Sequence, residues 1–114
     1  MNLLELALES TEKYGWCTGS LEEGDGTACV EGHILRAHGH EEPWYGLFDS
    51  SENGCSECRK ALLALHAAGA SAGSSRSPVD CVWKWNDTLE MPRDEALYRD
   101  TLLRGAKLLD EVEA

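Results

Sequence analysis

A chain of 114 residues suits one domain with one modest core, and its 42% apolar and 27% charged residues exclude a wholly disordered polypeptide. A formal charge of −11 repels phosphate backbones and anionic bilayers, which argues against direct nucleic-acid binding and against a membrane role. The charge is met either by a solvated surface or by an acidic face directed at a basic partner. A DNA mimic would be the extreme form of the second.

No segment reaches the roughly 20 apolar residues of a membrane helix. The N-terminal run from Met1 to Glu9 is apolar on one side only and carries glutamate where a signal peptide has basic residues. A cytoplasmic protein is therefore expected. The cysteines at 17, 29, 55, 58 and 81 are odd in number and are read as free thiols, some of them buried.

The first helix is expected near residues 2–14. Asn2 caps it, Glu5 completes a capping box, and Leu3, Leu4, Ala7 and Leu8 recur at helical spacing. Gly15 suits the left-handed position that closes a helix, and Trp16 folds back after it. Residues 20–26 form an acidic loop. Thr27 is then the expected N-cap of a second helix near 28–38. Gly32 lies inside that helix, where glycine costs about 1 kcal/mol relative to alanine. With Ala28 it makes a small-residue face, so the close approach of another backbone is one reason to accept that cost.

Residues 40–56 read as irregular, with Trp44, Tyr45, Leu47 and Phe48 packing as a short helical turn. Ser56 is the expected cap of a third helix near 57–68, which presents Ala61, Leu62, Leu65 and Ala68 inward. Residues 69–77, rich in Ser, Gly and Ala, read as a mobile loop. Ser77-Pro78 opens the next element in the manner of an N-cap followed by proline. A helix is preferred there over a strand, because no second strand is evident. The last helix, near 93–112, carries a seam of Tyr98, Leu102, Ala106, Leu109 and Val112, with Leu103 and Leu108 beside it. The fold class is thus mostly α: a compact single-domain bundle of four or five short helices.

The best-marked segment is Trp83-Lys84-Trp85-Asn86-Asp87. Turn chemistry explains Asn86 and Asp87 as a corner that ties down the loop before the last helix, with Trp85 buried. The functional alternative is a pocket in which Trp85, Asn86 and Asp87 meet a polar ligand. Three motifs occur in order: Trp16-Cys17-Thr18-Gly19, then Cys29-Val30-Glu31-Gly32 with Leu35-Arg36-Ala37, then Trp85-Asn86-Asp87 before the last helix. In these the chain resembles an uncharacterised family of short proteins from actinobacteria and their phages. It departs from the family pattern in Gly32-His33-Ile34 and in an additional cysteine pair. The resemblance implies a helical fold and a phage or actinobacterial source, and no catalytic activity.

Two constellations carry possible chemistry. Cys55-x-x-Cys58 follows His38-x-His40 at about the length of a zinc-finger spacer, and two thiolates with two imidazoles would make a tetrahedral zinc site. The bland alternative is that His38 and His40 are simply favourable cations at a helix end. The second constellation is a thiol centre, with Cys29 or Cys17 as nucleophile, His33 or His66 as base and Asn86 or Asp87 as orienter. Cys29 and His33 lie one helical turn apart, although a cysteine on an apolar helix face is commonly core. No phosphate loop and no His-Glu-x-x-His motif occurs. The first expectation is accordingly an acidic interaction protein, phage- or prophage-encoded, that binds a host protein through Trp44, Tyr45 or the Trp85-Asn86-Asp87 segment and needs no cofactor. The rivals are a small enzyme with Cys29 or Asp87 at its centre and a zinc-stapled adaptor.

Overall fold

The helices that open at Leu3, Ser56 and Pro78 begin where the side chain of the preceding residue satisfies a first-turn amide. The computed structural model describes residues 1–50 and 52–113. Helix α1 (Leu3–Tyr14) has the expected cap: Asn2 accepts from the amides of Leu4 and Glu5, and Glu5 reaches back to the Asn2 amide. The Asn2 amide group also donates to Ala106 O and to Asp110, so one residue caps α1 and ties it to the last helix. Gly15 closes α1 at φ 94°, as expected.

Helix α2 (Val30–Ala37) starts two residues later than the sequence suggests. Ala28 is held extended instead, in an isolated parallel bridge with Trp16. The Cys17 amide donates to Ala28 O, and the Ala28 amide donates to Gly15 O. Thr27 is not the cap, because its amide and hydroxyl are both spent on Asp25. Gly32 is required by a close approach: a Cβ there would lie 1.7 Å from the carbonyl oxygen of Leu21.

The irregular stretch contains one 3₁₀ turn, Tyr45–Phe48. Phe48 plugs the core, whereas Trp44 and Tyr45 remain 60% and 40% exposed, so the cluster does not pack as a unit. Helix α3 (Ser56–Ala67) is capped by the Cys55 sulfur and not by Ser56. The 70–77 linker lacks regular structure but is tied down. Ala70 is buried, Ala72 donates to Cys81 O, and the Ser75 hydroxyl donates to Asp80.

Helix α4 (Pro78–Thr88) opens with Ser77 as cap and Pro78 in the first turn, as expected. It runs through Asn86 and Asp87, so these residues form no turn. Helix α5 (Glu95–Glu113) buries Tyr98, Leu102, Ala106 and Leu109, but Leu103 and Val112 point outward. The seam therefore ends one turn earlier than its periodicity implies. Among the described residues there are five α-helices, and all five contribute to one apolar cluster. Helix α1 lies against α2 and α5, and α3 bridges α5 and α4. Among the described residues, no helix is long and apolar enough to cross a membrane.

Candidate functional site

The three motifs marked in the sequence converge on one buried side chain. Asn86 is fully buried, and its carboxamide oxygen accepts from the Trp16 indole N–H at 2.7 Å and from the Val30 amide at 3.0 Å. Its amide nitrogen donates to Cys17 O at 3.0 Å. Helix α2 has no side-chain cap of its own, so Asn86 supplies one from α4. The expected corner is therefore displaced: Asn86 joins α4 to the 16–30 segment and does not anchor the loop before α5. Trp85 is buried too, with its ring stacked 6.1 Å from that of Tyr98. Both are buried in the fold, and neither lines the cleft beside Asp87.

Asp87, one residue on, turns outward and accepts from the Gly19 amide at 3.0 Å. It lines a cleft of about 210 Å³ together with Gly19, Ser20, Cys29, Tyr45 and Trp83. The Trp83 indole N–H donates to Asp80 at 3.3 Å, which holds the ring at the cleft. Lys84 Nζ lies 5.7 Å from the centre of the same ring, so this indole already attracts a cation.

Beside the cleft is a group that the sequence reading overlooked. Glu31 is fully buried, and neither carboxylate oxygen has a hydrogen-bond partner. Burial pushes its pKa up to about 9, and the charges of Asp80 and Asp87 push in the same direction. Cys29, Tyr45 and Asp87 couple electrostatically to Glu31 and line the cleft, whereas Glu31 itself lies behind that lining. The signal was present: Glu31 is three residues after Ala28 and three and four before Ile34 and Leu35, on the inward face of α2. An acid on that face is the anomaly to seek.

The thiol centre is not assembled. His33 Nε2 lies 2.7 Å from Gly15 O, which can only accept, so Nε2 carries the proton. Nδ1 then accepts from the Ser10 hydroxyl at 2.8 Å. Both ring nitrogens are committed, and burial lowers the His33 pKa to about 4. Cys29 is buried, and desolvation raises its pKa to about 12, the reverse of what a nucleophile needs. Cys17 is also raised, chiefly by desolvation. His66 sits in the last turn of α3, far along the chain from either thiol and bonded to neither.

The second constellation is brought together. Ligand atoms of His38, His40, Cys55 and Cys58 all lie within 4.8 Å of one another. His38 ends α2, and Gly39 at φ 92° reverses the chain so that the two imidazoles stack 5.2 Å apart. The Gly39 and His40 amides close on Arg36 O and Leu35 O, the double bond of a Schellman ending. Cys55 Sγ lies 3.8 Å from His38 Nδ1 and accepts from the Cys58 amide at 3.5 Å.

A small all-helical protein with an acidic, aromatic cleft and a separate cluster of two histidines and two cysteines is thus the class defined by fold and site. Residues 1–107 match the profile of a family of unknown function (DUF6197), and the chain belongs to that family. No curated protein and no solved structure matches it.

Proposed function

We propose that this protein is an acidic interaction module whose cleft receives a basic side chain of a partner protein. The observation that carries the reading is Glu31. A buried carboxyl without a donor opposes folding, so its presence is best explained by a partner that arrives with a ligand. A guanidinium or ammonium entering between Asp87, Tyr45 and Trp83 would supply opposite charge to Asp80 and Asp87, favour release of the Glu31 proton, and meet the Trp83 indole face in a cation–π contact. Direct contact with Glu31 requires a shift of the cleft wall. A volume of about 210 Å³ is below the roughly 300–1,000 Å³ of small-molecule pockets, and suits one long side chain. The net charge of −11 favours encounter with a basic surface. In the form that the sequence resemblance suggests, the protein is phage- or prophage-encoded, acts in the cytoplasm and binds a host protein.

The test is an amide NMR titration with arginine amide, against citrulline amide as the uncharged near-isostere. Saturable shifts are expected at the Gly19 amide and the Trp83 indole N–H with arginine amide alone, weakened in Glu31→Gln. Shifts of equal size with citrulline amide, or none at these two groups, refute the reading.

A further inference from the structure

We propose that His38, His40, Cys55 and Cys58 bind one zinc ion, and that this ion fixes the segment that carries the Tyr45 wall of the cleft. The donor set is two thiolates and two imidazoles, which zinc takes tetrahedrally. With Zn–S near 2.3 Å and Zn–N near 2.0–2.1 Å, ligand atoms around such an ion lie about 3.3–3.8 Å apart. The Cys55 Sγ to His38 Nδ1 separation is already 3.8 Å, and the whole set falls within 4.8 Å. Small side-chain shifts complete the shell.

Three further observations point to a ligand. His40 Nε2 is buried and has no hydrogen-bond partner. Cys58 is fully buried beside the half-buried Cys55, yet both remain thiols. The Cys58 amide donates to the Cys55 sulfur at 3.5 Å, an N–H to sulfur bond suited to supporting a thiolate ligand. Each pair is also pre-organised by the chain. The histidines flank the left-handed Gly39 at the end of α2, and the cysteines open α3. Four protein ligands leave no open coordination position, so the site is structural and not catalytic.

The ion would close the chain between residues 38 and 58. That loop contains the 3₁₀ turn Tyr45–Phe48, in which Phe48 is core and Tyr45 lines the cleft. Apart from the Cys55 amide to Leu47 O bond at 2.7 Å and the Arg59 guanidinium to Phe48 O bond at 3.1 Å, few hydrogen bonds secure the turn. Loss of metal should therefore loosen Tyr45 and Phe48 first.

The experiment measures metal content and affinity of the full chain, with zinc alone as the probe. Protein prepared reduced and dialysed against zinc should retain about one equivalent by elemental analysis. Cobalt substitution should give the visible absorption of a tetrahedral site with thiolate ligands. Because His38 is exposed, His38→Gln should fold, yet lose zinc at least about 100-fold more readily to a competing chelator. Cys17→Ser should leave affinity unchanged. Less than about a tenth of an equivalent of zinc after dialysis overturns the proposal, as does zinc affinity equal to wild type in both His38→Gln and Cys58→Ser. These readouts do not involve the cleft, so they stand or fall separately from recognition of a basic side chain.

Discussion

Replacing Glu31 by glutamine should stabilise the protein at neutral pH, and the gain should grow with pH. The Glu31 pKa rises from an ordinary 4.5 to about 9 in the folded chain. The folded state therefore binds a proton that the unfolded state has released, and stability from this group falls as pH climbs from 4.5 towards 9. At 1.36 kcal/mol per unit, the cost at pH 7 is at most about 3 kcal/mol, and at pH 8.5 at most about 5 kcal/mol. Glutamine replaces a buried neutral carboxyl of nearly equal size, so the two desolvation costs largely cancel and proton uptake is the difference. A gain of about 1–3 kcal/mol at pH 7 is expected, which is roughly 4–12 °C in Tm for a chain of this length. Near pH 4.5 the gain should vanish. Urea denaturation of both proteins at pH 4.5, 7 and 8.5 makes the comparison, and other titrating groups cancel in the difference. A Glu31→Gln variant that is less stable than wild type at pH 7, or a difference that does not change with pH, would refute the reasoning.

Three other outcomes follow from the same contacts. Asn86→Ala leaves the Trp16 indole N–H, the Val30 amide and Cys17 O without partners and should cost about 3–5 kcal/mol in chemical denaturation; a loss under about 1 kcal/mol would contradict its hub position. Gly32→Ala gains about 1 kcal/mol of helix propensity but drives a methyl into the Leu21 carbonyl, so a net loss of a few kcal/mol is expected, and net stabilisation would show that the 21–32 approach is not as close. His33 holds its pKa near 4 against an ordinary 6.5, so the neutral ring's contribution is present above pH 6.5 and is lost, up to about 3 kcal/mol, as pH falls towards 4; its ring proton resonances should stay in place from pH 8 to about 5.5, and a midpoint near 6.5 would refute the pairing with Ser10 and Gly15.

The helices were legible where local chemistry decides them. Asn2 with Glu5, Gly15, Ser77-Pro78 and the Tyr98–Leu109 seam each announce a boundary or a face within a few residues, and the structure has them. The α2 start was misread because Thr27 is an ordinary cap by type, while the real arrangement depends on a bridge to Trp16 and on Asn86, 56 residues away. Long-range hydrogen bonds leave no periodic trace. The same cause moved Asn86 and Asp87 from a turn into α4: their residue types favour turns, but burial of Trp85 and the bonds to the 16–30 segment outweigh that preference. In the candidate cleft, Tyr45 and Asp87 were visible as an aromatic and an acid in marked segments. Glu31 and Asp80 were lost among 21 acidic residues, since charge count does not say which carboxylate is inside. The Cys29–His33 pair met the spacing rule, yet His33 turns to α1, where Ser10 and Gly15 take both nitrogens.

The most direct measurement is the carbon-detected NMR titration of the Glu31 carboxyl in the wild-type chain, with and without saturating arginine amide. The account predicts a midpoint near 9 in the free protein and a lower one with the cationic ligand present, because a neighbouring positive charge favours the carboxylate. A midpoint near 4.5, unmoved by arginine amide, would contradict it.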